Sequence, residues 1–255
     1  MIVFTDLDGT LLDRATYSYT PAEPSVAHLR ALGVPVVMVT SKTRAEVSAL
    51  RERMGNTDPF IVENGAAVVV PGEPDIVLGS TSAQAREALR RAAIESGVRV
   101  RGFGDMDPAE ICQRTGLEPR VASLAMQREF GEPFVVLEGE VGRLEDALAA
   151  EGFQMTRGGR FFHVLGGCSK ARAVETLIKR WGDSDTVGLG DAPNDIGFFQ
   201  VVRQAVIIPS PHLQTMRAAL PEAMVAEEAG PAGWNRAIFQ ILPAGLSGKV
   251  SRSGD

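Results

Sequence analysis

The chain has 255 residues, 44% of them hydrophobic and 23% charged, which is ordinary for a globular protein. Its net charge of -6 argues against a nucleic-acid partner, which would require a basic surface, but leaves room for a small anionic substrate held by a few local cations. No run approaches the roughly 20 apolar residues that span a bilayer, and the only cysteines are Cys112 and Cys168, so we expect a cytoplasmic protein without membrane spans or disulfides.

Short apolar runs alternate with helical stretches near the start of the chain. The strands are expected in IVF, VPVVMVT and FIVENG, and the helices in PSVAHLRALG and KTRAEVSALRERMG. Strands that are apolar on both faces and alternate with helices predict a parallel sheet covered by helices.

The pattern changes at about residue 81. Three helical stretches follow: SAQAREALRRAAIESG, DPAEICQRTG and EPRVASLAMQ. After them come a strand, PFVVLEG, and a further helix, EVGRLEDALAAEG. FQMTRGGRFFHVLG is typical of a β-hairpin with RGGR at its turn. This mixture predicts a separate α+β unit.

The first pattern returns after residue 164. The helices are expected in SKARAVETLIKRWG, PNDIGFFQVV and PAGWNRAIFQIL, and the strands in TVGLGD and AVIIP. We therefore predict an α/β fold, with a Rossmann-like parallel-sheet core formed by residues 1–80 and 164–255. An α+β cap at residues 81–163 would be inserted into this core.

Polar residues occur where the predicted core strands end and where one core helix begins. These residues are Asp6, Asp8, Thr40, Ser41, Lys170 and Asp191. Binding sites in parallel sheets form beyond the carboxyl ends of the strands, so we expect these groups to converge.

The residue types at these positions suit phosphoryl transfer. Asp6, Asp8 and Asp191 offer the hard oxygen ligands that Mg²⁺ prefers, and neighbouring carboxylates need a cation or a proton to offset their repulsion. Thr40 can donate its hydroxyl to a phosphate oxygen, and Lys170 supplies positive charge. DLDGT alone could be an acidic turn, but the other motifs in this order disfavour that interpretation.

The four motifs resemble those of the haloacid dehalogenase superfamily of phosphohydrolases: an aspartate pair, a Thr or Ser, a Lys and an acidic cluster. The insertion between the second and third motifs resembles the sugar-phosphatase, or Cof-like, branch. VENGA at 62–66 is similar to the substrate-loop signature of that branch.

The resemblance implies a role for each matching residue. Asp6 would be the nucleophile that forms an aspartyl-phosphate, and Asp8 would be first the general acid and then the general base. Thr40 would hold the transferring phosphate, while Lys170 would neutralise it together with Asp6.

The resemblance also implies a magnesium centre. Asp191 would bind Mg²⁺ together with the Asp6 carboxylate and the Asp8 backbone carbonyl. Asn194 and Asp195 would orient the metal ligands and the lysine.

A narrower resemblance is to mannosyl-3-phosphoglycerate phosphatases, through VTSKT, GFGD, REFGEPFVV and RGGRFFHV. It implies hydrolysis of mannosyl- or glucosyl-3-phosphoglycerate to the glycosylglycerate, a compatible solute. The substrate contains a phosphate and a carboxylate, so arginines at the cap hairpin would serve as anion binders. The expected substrate-binding residues are Ser41, Lys42, Glu63, Asn64, Gly65, Arg157, Gly158, Gly159 and Arg160.

Other functions remain open at this point. The same chemistry would serve another sugar-phosphate phosphatase, of sucrose-phosphate or hexose-phosphate type, or a phosphomutase. A receiver-like signalling module also combines acids, a Thr or Ser, a Lys and Mg²⁺, but an acid two residues after the nucleophile could activate water and so favours an enzyme. We expect a small-molecule substrate and no nucleic-acid or membrane partner, and the sequence does not reveal the oligomeric state.

Overall fold

The computed structural model describes residues 1–157, 161–182 and 185–242. The strands in this part are β1 (Ile2–Thr5), β2 (Val36–Val39), β3 (Phe60–Val62), β4 (Ala67–Val69), β5 (Ile76–Val77), β6 (Arg99–Gly102), β7 (Glu132–Glu138), β8 (Phe153–Arg157), β9 (Phe162–Gly166), β10 (Thr186–Gly190), β11 (Gln204–Ile207) and β12 (Met224–Val225).

The helices in the same ranges are α1 (Glu23–Ala31), α2 (Arg44–Met54), α3 (Ser82–Ser96), α4 (Pro108–Thr115), α5 (Pro119–Ala125), α6 (Val141–Ala150), α7 (Lys170–Trp181), α8 (Ile196–Phe199), α9 (Leu213–Ala219) and α10 (Gly230–Ile241). Among these described helices, none combines the length and apolar character needed to cross a membrane.

The core is an eight-stranded sheet with the order β12-β11-β10-β1-β2-β3-β4-β5. Its strands pair in parallel from β12 to β3, as the alternation of strands and helices predicts. β4 and β5 extend it as antiparallel strands at one edge, which the sequence analysis did not predict. β1 is buried along its whole length because helices cover both faces of the sheet, and two apolar clusters lie on either side of it.

The cap is a separate four-stranded antiparallel sheet with the order β6-β7-β9-β8. Helices α3 and α6 pack on it through an apolar cluster that contains Leu89, Phe134 and Leu148. The predicted hairpin of β8 and β9 is confirmed, while its turn residues Gly158, Gly159 and Arg160 lie outside the described part of the chain. The α/β fold class with an α+β insertion is therefore confirmed.

The chain passes between the two sheets at neighbouring points. The Ser80 amide donates to the Gly166 carbonyl at 2.9 Å, and the Ser82 amide donates to the Glu129 carbonyl at 2.9 Å. The predicted division at residues 163 and 164 falls inside β9, whose pairing with β8 continues to Gly166. The assignment of domains stays a prediction, and strand pairing favours a return to the core after β9.

Glu132 on β7 is a buried carboxylate in the cap, only 3% exposed. The Gly104 amide donates to its Oε1 at 2.8 Å, and the nearest guanidinium nitrogen, Nε of Arg86, is 3.9 Å away. Burial raises the pKa of Glu132 from 4.5 to about 7 against these opposing contacts. Glu132 therefore stays protonated to a higher pH in the folded protein than in the unfolded chain.

We expect Glu132→Gln to stabilise the protein above about pH 7 and to have little effect below pH 4.5. The raised pKa makes the wild type lose stability as pH rises from 4.5 to about 7, by up to about 3 kcal/mol at roughly 1.4 kcal/mol per pKa unit, and a neutral amide removes this loss. Urea unfolding of both proteins across this range measures the difference. Glu110→Gln is the control of opposite sign, because Arg101 and Arg114 lower the pKa of Glu110 to about 2. The prediction would be contradicted if the unfolding free energies of the wild type and of Glu132→Gln changed with pH in parallel.

Candidate active site

The acids of the first and fourth motifs meet because the strands that precede them are neighbours. β1 pairs with β10 in parallel, with Thr5 opposite Leu189, so both strands end at the same edge of the sheet. Asp6 and Asp191 come directly after these strands, and Asp195 lies four residues beyond Asp191. One carboxylate oxygen from each of these three residues lies within 4.8 Å of the others.

Lys170 is the first residue of α7 and reaches into this acidic cluster. Its Nζ donates to Oδ1 of Asp6 at 2.6 Å and to Oδ1 of Asp195 at 2.7 Å, and the residue is 3% exposed. The hydroxyl of Ser169 caps the helix by accepting from the Arg172 amide at 3.1 Å. This cap begins the helix at the residue that must project the ammonium group towards the sheet.

Asp195 connects the lysine to the loop after β10. Its Oδ2 accepts from the backbone amides of Asp191 and Ala192, both at 3.1 Å, while its other oxygen accepts from Lys170. A single buried carboxylate thus fixes both the ammonium group and the loop that carries Asp191. The neighbouring Asn194 lines the open space above the loop.

The acidic cluster holds more carboxylates than its single lysine can neutralise. Burial raises the pKa of Asp6 to about 7 in spite of the Lys170 ammonium, and burial together with the Asp6 charge raises the pKa of Asp191 to about 6. Burial opposes charge on Lys170 as well, but Asp195 and Asp6 outweigh that effect and raise its pKa. The cluster therefore favours a bound proton or an additional cation.

A divalent cation fits this donor set. The Asp6 and Asp191 carboxylates are hard oxygen ligands, which suits Mg²⁺, and their repulsion is relieved by a cation. The guanidinium of Arg14 also contributes positive charge to Asp191, with its Nη2 2.5 Å from Oδ2. The Thr10 hydroxyl donates to Oδ1 of Asp191 at 3.2 Å. Arg14 and Thr10 were not predicted as site residues.

Asp8 and Lys42 form an ion pair at the mouth of the cluster. Lys42 Nζ lies 3.0 Å from Oδ2 of Asp8 and 3.7 Å from Oε1 of Glu46, and 5.0 Å from the centre of the Tyr17 ring. Among the described residues, Oδ1 of Asp8 is buried without a hydrogen-bond partner. Burial opposes charge on Lys42, but the carboxylates of Asp8 and Glu46 outweigh it and raise the pKa of the lysine.

Thr40 and Ser41 follow β2, the strand on the other side of β1. Oγ1 of Thr40 accepts from the Lys42 amide at 3.2 Å, and the residue is 1% exposed. Ser41 lines the cleft. The next helix, α2, begins with a capping box between Thr43 and Glu46, which fixes the direction in which the loop leaves the strand.

The VENGA residues lie beneath the site and not in its wall. Glu63 is fully buried and accepts from Arg128 Nη1 at 3.1 Å and from the amides of Glu129 and Phe130 at 3.0 and 2.9 Å. The Asn64 amide donates to the Thr40 carbonyl at 2.9 Å. Direct substrate contact was predicted for Glu63, Asn64 and Gly65. The structure gives internal partners to Glu63 and Asn64, and substrate contact by these residues stays a prediction.

Gly65 is required by a close approach of two backbones. Its φ is +92°, and a Cβ at this position would lie 2.1 Å from the Ser169 carbonyl oxygen. The loop after β3 therefore packs directly against the residue that precedes Lys170. This contact helps to position α7, and with it the ammonium group.

A cleft of about 780 Å³ opens between the core and the cap. Its core wall contains Asp6, Asp8, Ser41, Lys42, Asp191 and Asn194. Its cap wall contains Phe103, Arg128, Arg157, Phe161 and His163. Charged or polar side chains occur in both walls, as a site for a charged and hydroxylated ligand requires.

Two cap residues give this wall a positive charge and a neutral imidazole. Arg157 is exposed, and its guanidinium carbon lies 5.3 Å from the centre of the Phe162 ring, which is a cation–π contact. Burial lowers the pKa of His163 to about 3, helped by the charges of Arg128 and Lys170, so its imidazole is neutral. Arg157 was predicted as a site residue, whereas His163 and Arg128 were not.

Comparison with known proteins agrees with this geometry. The haloacid dehalogenase-like hydrolase family matches residues 3–91. A glucosyl-3-phosphoglycerate/mannosyl-3-phosphoglycerate phosphatase of Persephonella marina is 39% identical, over 95% of this chain and 97% of its own length. The chain belongs to the haloacid dehalogenase-like hydrolases. A second relative of the same description, from Methanococcoides burtonii, is 33% identical to this hydrolase over 94% of the chain and 97% of its own length.

Solved structures share the fold of this haloacid dehalogenase-like hydrolase. A Thermoplasma acidophilum protein superposes with a TM-score of 0.72 at 19% identity, covering 94% of this chain and 96% of its own. A sugar phosphatase of haloacid dehalogenase subclass IIB superposes with a TM-score of 0.70 at 18% identity, covering 96% and 99%. The fold with a four-stranded antiparallel cap on a mostly parallel core is thus shared with a subclass IIB structure, and the predicted family is confirmed by the curated relatives.

Proposed function

We propose that this hydrolase is a Mg²⁺-dependent phosphatase that removes the phosphate from glucosyl-3-phosphoglycerate or mannosyl-3-phosphoglycerate. The observation that carries the proposal is the 39% identity, over nearly the full length of both chains, to a phosphatase described as acting on these two compounds. The gathering of Asp6, Lys170 and Asp191 at one edge of the sheet supports the same chemistry.

The acids Asp6 and Asp191, with the backbone carbonyl of Asp8, are the proposed Mg²⁺ ligands. When bound, the ion would offset negative charge on the carboxylates and on the phosphoryl group. Lys170 neutralises Asp6 and is itself held by Asp195. Thr40 is the proposed hydrogen-bond donor to a phosphate oxygen.

The proposed reaction has two displacements at phosphorus. In the first, an Asp6 oxygen bonds to phosphorus, the bond to the glycerate oxygen breaks, and Asp8 gives that oxygen its proton. In the second, Asp8 takes a proton from water, the water oxygen bonds to phosphorus, and the bond to Asp6 breaks. Free phosphate leaves, and both carboxyl groups return to their starting state.

The cap supports a phosphorylated sugar as the ligand. The neutral imidazole of His163 can donate to or accept from a sugar hydroxyl, and Arg157 adds positive charge to the same wall. The anion-binding roles of Arg157, Gly158, Gly159 and Arg160 stay predictions, and the last three lie outside the described residues. We further place the enzyme in the cytoplasm, because Cys112 and Cys168 are both free thiols.

The test is a phosphate-release assay across phosphorylated sugars and glycerates, with Mg²⁺ and after its removal. We expect kcat/KM for the two glycosyl-3-phosphoglycerates to exceed that for hexose phosphates and sucrose phosphate by at least about tenfold. Chelation with EDTA should abolish turnover, and added Mg²⁺ should restore it.

Two other results would contradict the proposal. Faster hydrolysis of hexose or sucrose phosphates would assign the enzyme to general sugar-phosphate metabolism. A phosphorylated protein that persists for minutes without turnover would instead favour a receiver-like module.

A further inference from the structure

Arg128, in the REFGEPF segment, is held in the cleft by residues of the core. Its Nη1 donates to Oε2 of Glu63 at 3.1 Å, and its Nη2 donates to the Ser41 carbonyl at 3.2 Å. The side chain is 11% exposed and lines the cleft, and its Nε has no hydrogen-bond partner among the described residues. The guanidinium is therefore fixed in place before any ligand binds, with donor capacity left over.

Lys42 lies in the same part of the cleft wall. It directly follows Ser41, whose carbonyl Arg128 holds, and its side chain is 13% exposed. Its Nζ is 3.0 Å from Oδ2 of Asp8 and 3.7 Å from Oε1 of Glu46, so two carboxylates hold it in the absence of substrate. Two cations thus line this part of the cleft, and one of them, Lys42, is paired with the proposed general acid.

A phosphoglycerate contains a second anion, its carboxylate, close to the phosphate. The carboxyl carbon lies at most about 5 Å from phosphorus, because each covalent bond between them spans roughly 1.5 Å. Asp8 must touch the oxygen that links phosphorus to the glycerate in order to protonate it. A group in contact with Asp8 is consequently within reach of the substrate carboxylate.

We infer that Lys42 and Arg128 form a carboxylate subsite next to the phosphate position, and that this subsite selects phosphate esters that also contain a carboxylate. The inference rests on the proposed function for the position of the phosphate and adds the residues that recognise the rest of the glycerate. Glu63 is a positioning residue in this arrangement, because it holds Arg128 from below.

The subsite also links recognition to catalysis. An incoming carboxylate takes the place of Asp8 as the partner of Lys42. Asp8 is then free to turn its carboxyl group towards the ester oxygen. An ester without a carboxylate leaves the Lys42–Asp8 ion pair intact.

Two small esters that differ in one group test the subsite: 3-phospho-D-glycerate, with a carboxylate, and sn-glycerol 3-phosphate, with a hydroxymethyl group in its place. We expect the wild type to prefer the first by at least about tenfold in kcat/KM. Lys42→Gln and Arg128→Gln should each lower kcat/KM for 3-phosphoglycerate by about 10- to 100-fold and bring the ratio towards one. Where turnover is too slow to follow, inhibition constants against p-nitrophenyl phosphate give the same ratio.

Lys179→Gln is the matched control, since it makes the same chemical change as Lys42→Gln at an exposed lysine of α7 that does not line the cleft, and it should keep the ratio. Circular dichroism and melting temperature check that each variant folds. If Arg128→Gln does not fold, the ratio measured for Lys42→Gln alone tests the subsite. A wild type without preference, or a Lys42→Gln variant with the wild-type ratio, would overturn the inference.

The glycosyl-3-phosphoglycerates are measured separately. If the enzyme prefers 3-phosphoglycerate over glycerol 3-phosphate but does not hydrolyse the glycosyl-3-phosphoglycerates, the proposed function is wrong and the carboxylate subsite is still supported.

Discussion

Asp6→Asn is expected to lower kcat by at least about 10⁴-fold while the protein remains folded. The amide cannot attack phosphorus, but its oxygen can still accept the hydrogen bond that Asp6 receives from Lys170 at 2.6 Å. Stability should not suffer, because burial already raises the pKa of Asp6 to about 7 and so disfavours its charged form. Steady-state phosphate release and the melting temperature measure the two effects.

A labelled substrate gives a second result for the same variant. Rapid acid quenching of the wild type should trap phosphate on the protein, and quenching of Asp6→Asn should trap none. Asp146→Asn is the control, because it makes the same chemical change at an exposed position on α6 and should keep wild-type turnover. Labelled protein or sustained turnover in Asp6→Asn would assign the nucleophile to another residue.

Lys170→Met should both destabilise the protein and stop the reaction. The lysine stands between Asp6 and Asp195, and without it those carboxylates are buried and unpaired, which costs about 3–5 kcal/mol of unfolding free energy. The loss should be largest above neutral pH. It should shrink as pH falls through the raised pKa values of the two acids, which then bind protons in the folded state. Metal-free urea unfolding at about pH 8 and about pH 5 measures this, and kcat should fall by at least about 10³-fold.

The double variant Lys170→Met/Asp195→Asn separates the two roles of the lysine. Removing the Asp195 charge takes away one unpaired carboxylate, so part of the lost stability should return. Activity should not return, because no cation then neutralises Asp6 and the phosphate. Recovery of turnover along with stability would show that Lys170 is needed only for folding.

The core of the candidate site was predictable because it depends on strand ends. Asp6, Thr40 and Asp191 each follow a strand of one parallel sheet, and the register of neighbouring strands brings such residues to one edge whatever the sequence between them. Lys170 was predictable for a related reason, since the N-cap Ser169 determines where its helix begins. The motifs therefore encode local positions that the fold makes spatially close.

Contacts between distant side chains were not predictable in the same way. Arg14 meets Asp191 across 177 positions, and Arg128 meets Glu63 across 65. An arginine in a loop is usually solvated, and nothing in its neighbouring residues indicates which carboxylate it will contact. These pairs follow from how loops and cap pack, which no periodic pattern records.

Strand β6 was missed because it lies at the edge of the cap sheet. Its residues Arg99 and Arg101 alternate with less polar ones, and both arginines pair with carboxylates, Glu138 and Glu110. RVRG has little apolar content and comes soon after a long helix, so it gave no separate signal for a strand. Edge strands with charged side chains resist unwanted pairing, and the same charges make them hard to find in a sequence.

The neighbouring crossings between the two sheets have a consequence for how the chain folds. Because the Ser80 amide meets the Gly166 carbonyl at 2.9 Å, the polypeptide leaves the core and re-enters it at almost the same place. The residues between these two points form a long insertion whose ends lie together in the folded core. The entropic cost of closing such a loop rises only slowly with its length. A variant in which a short glycine-serine linker replaces that insertion should still form the eight-stranded sheet. The core and the cap would then be independent targets for evolution and for engineering.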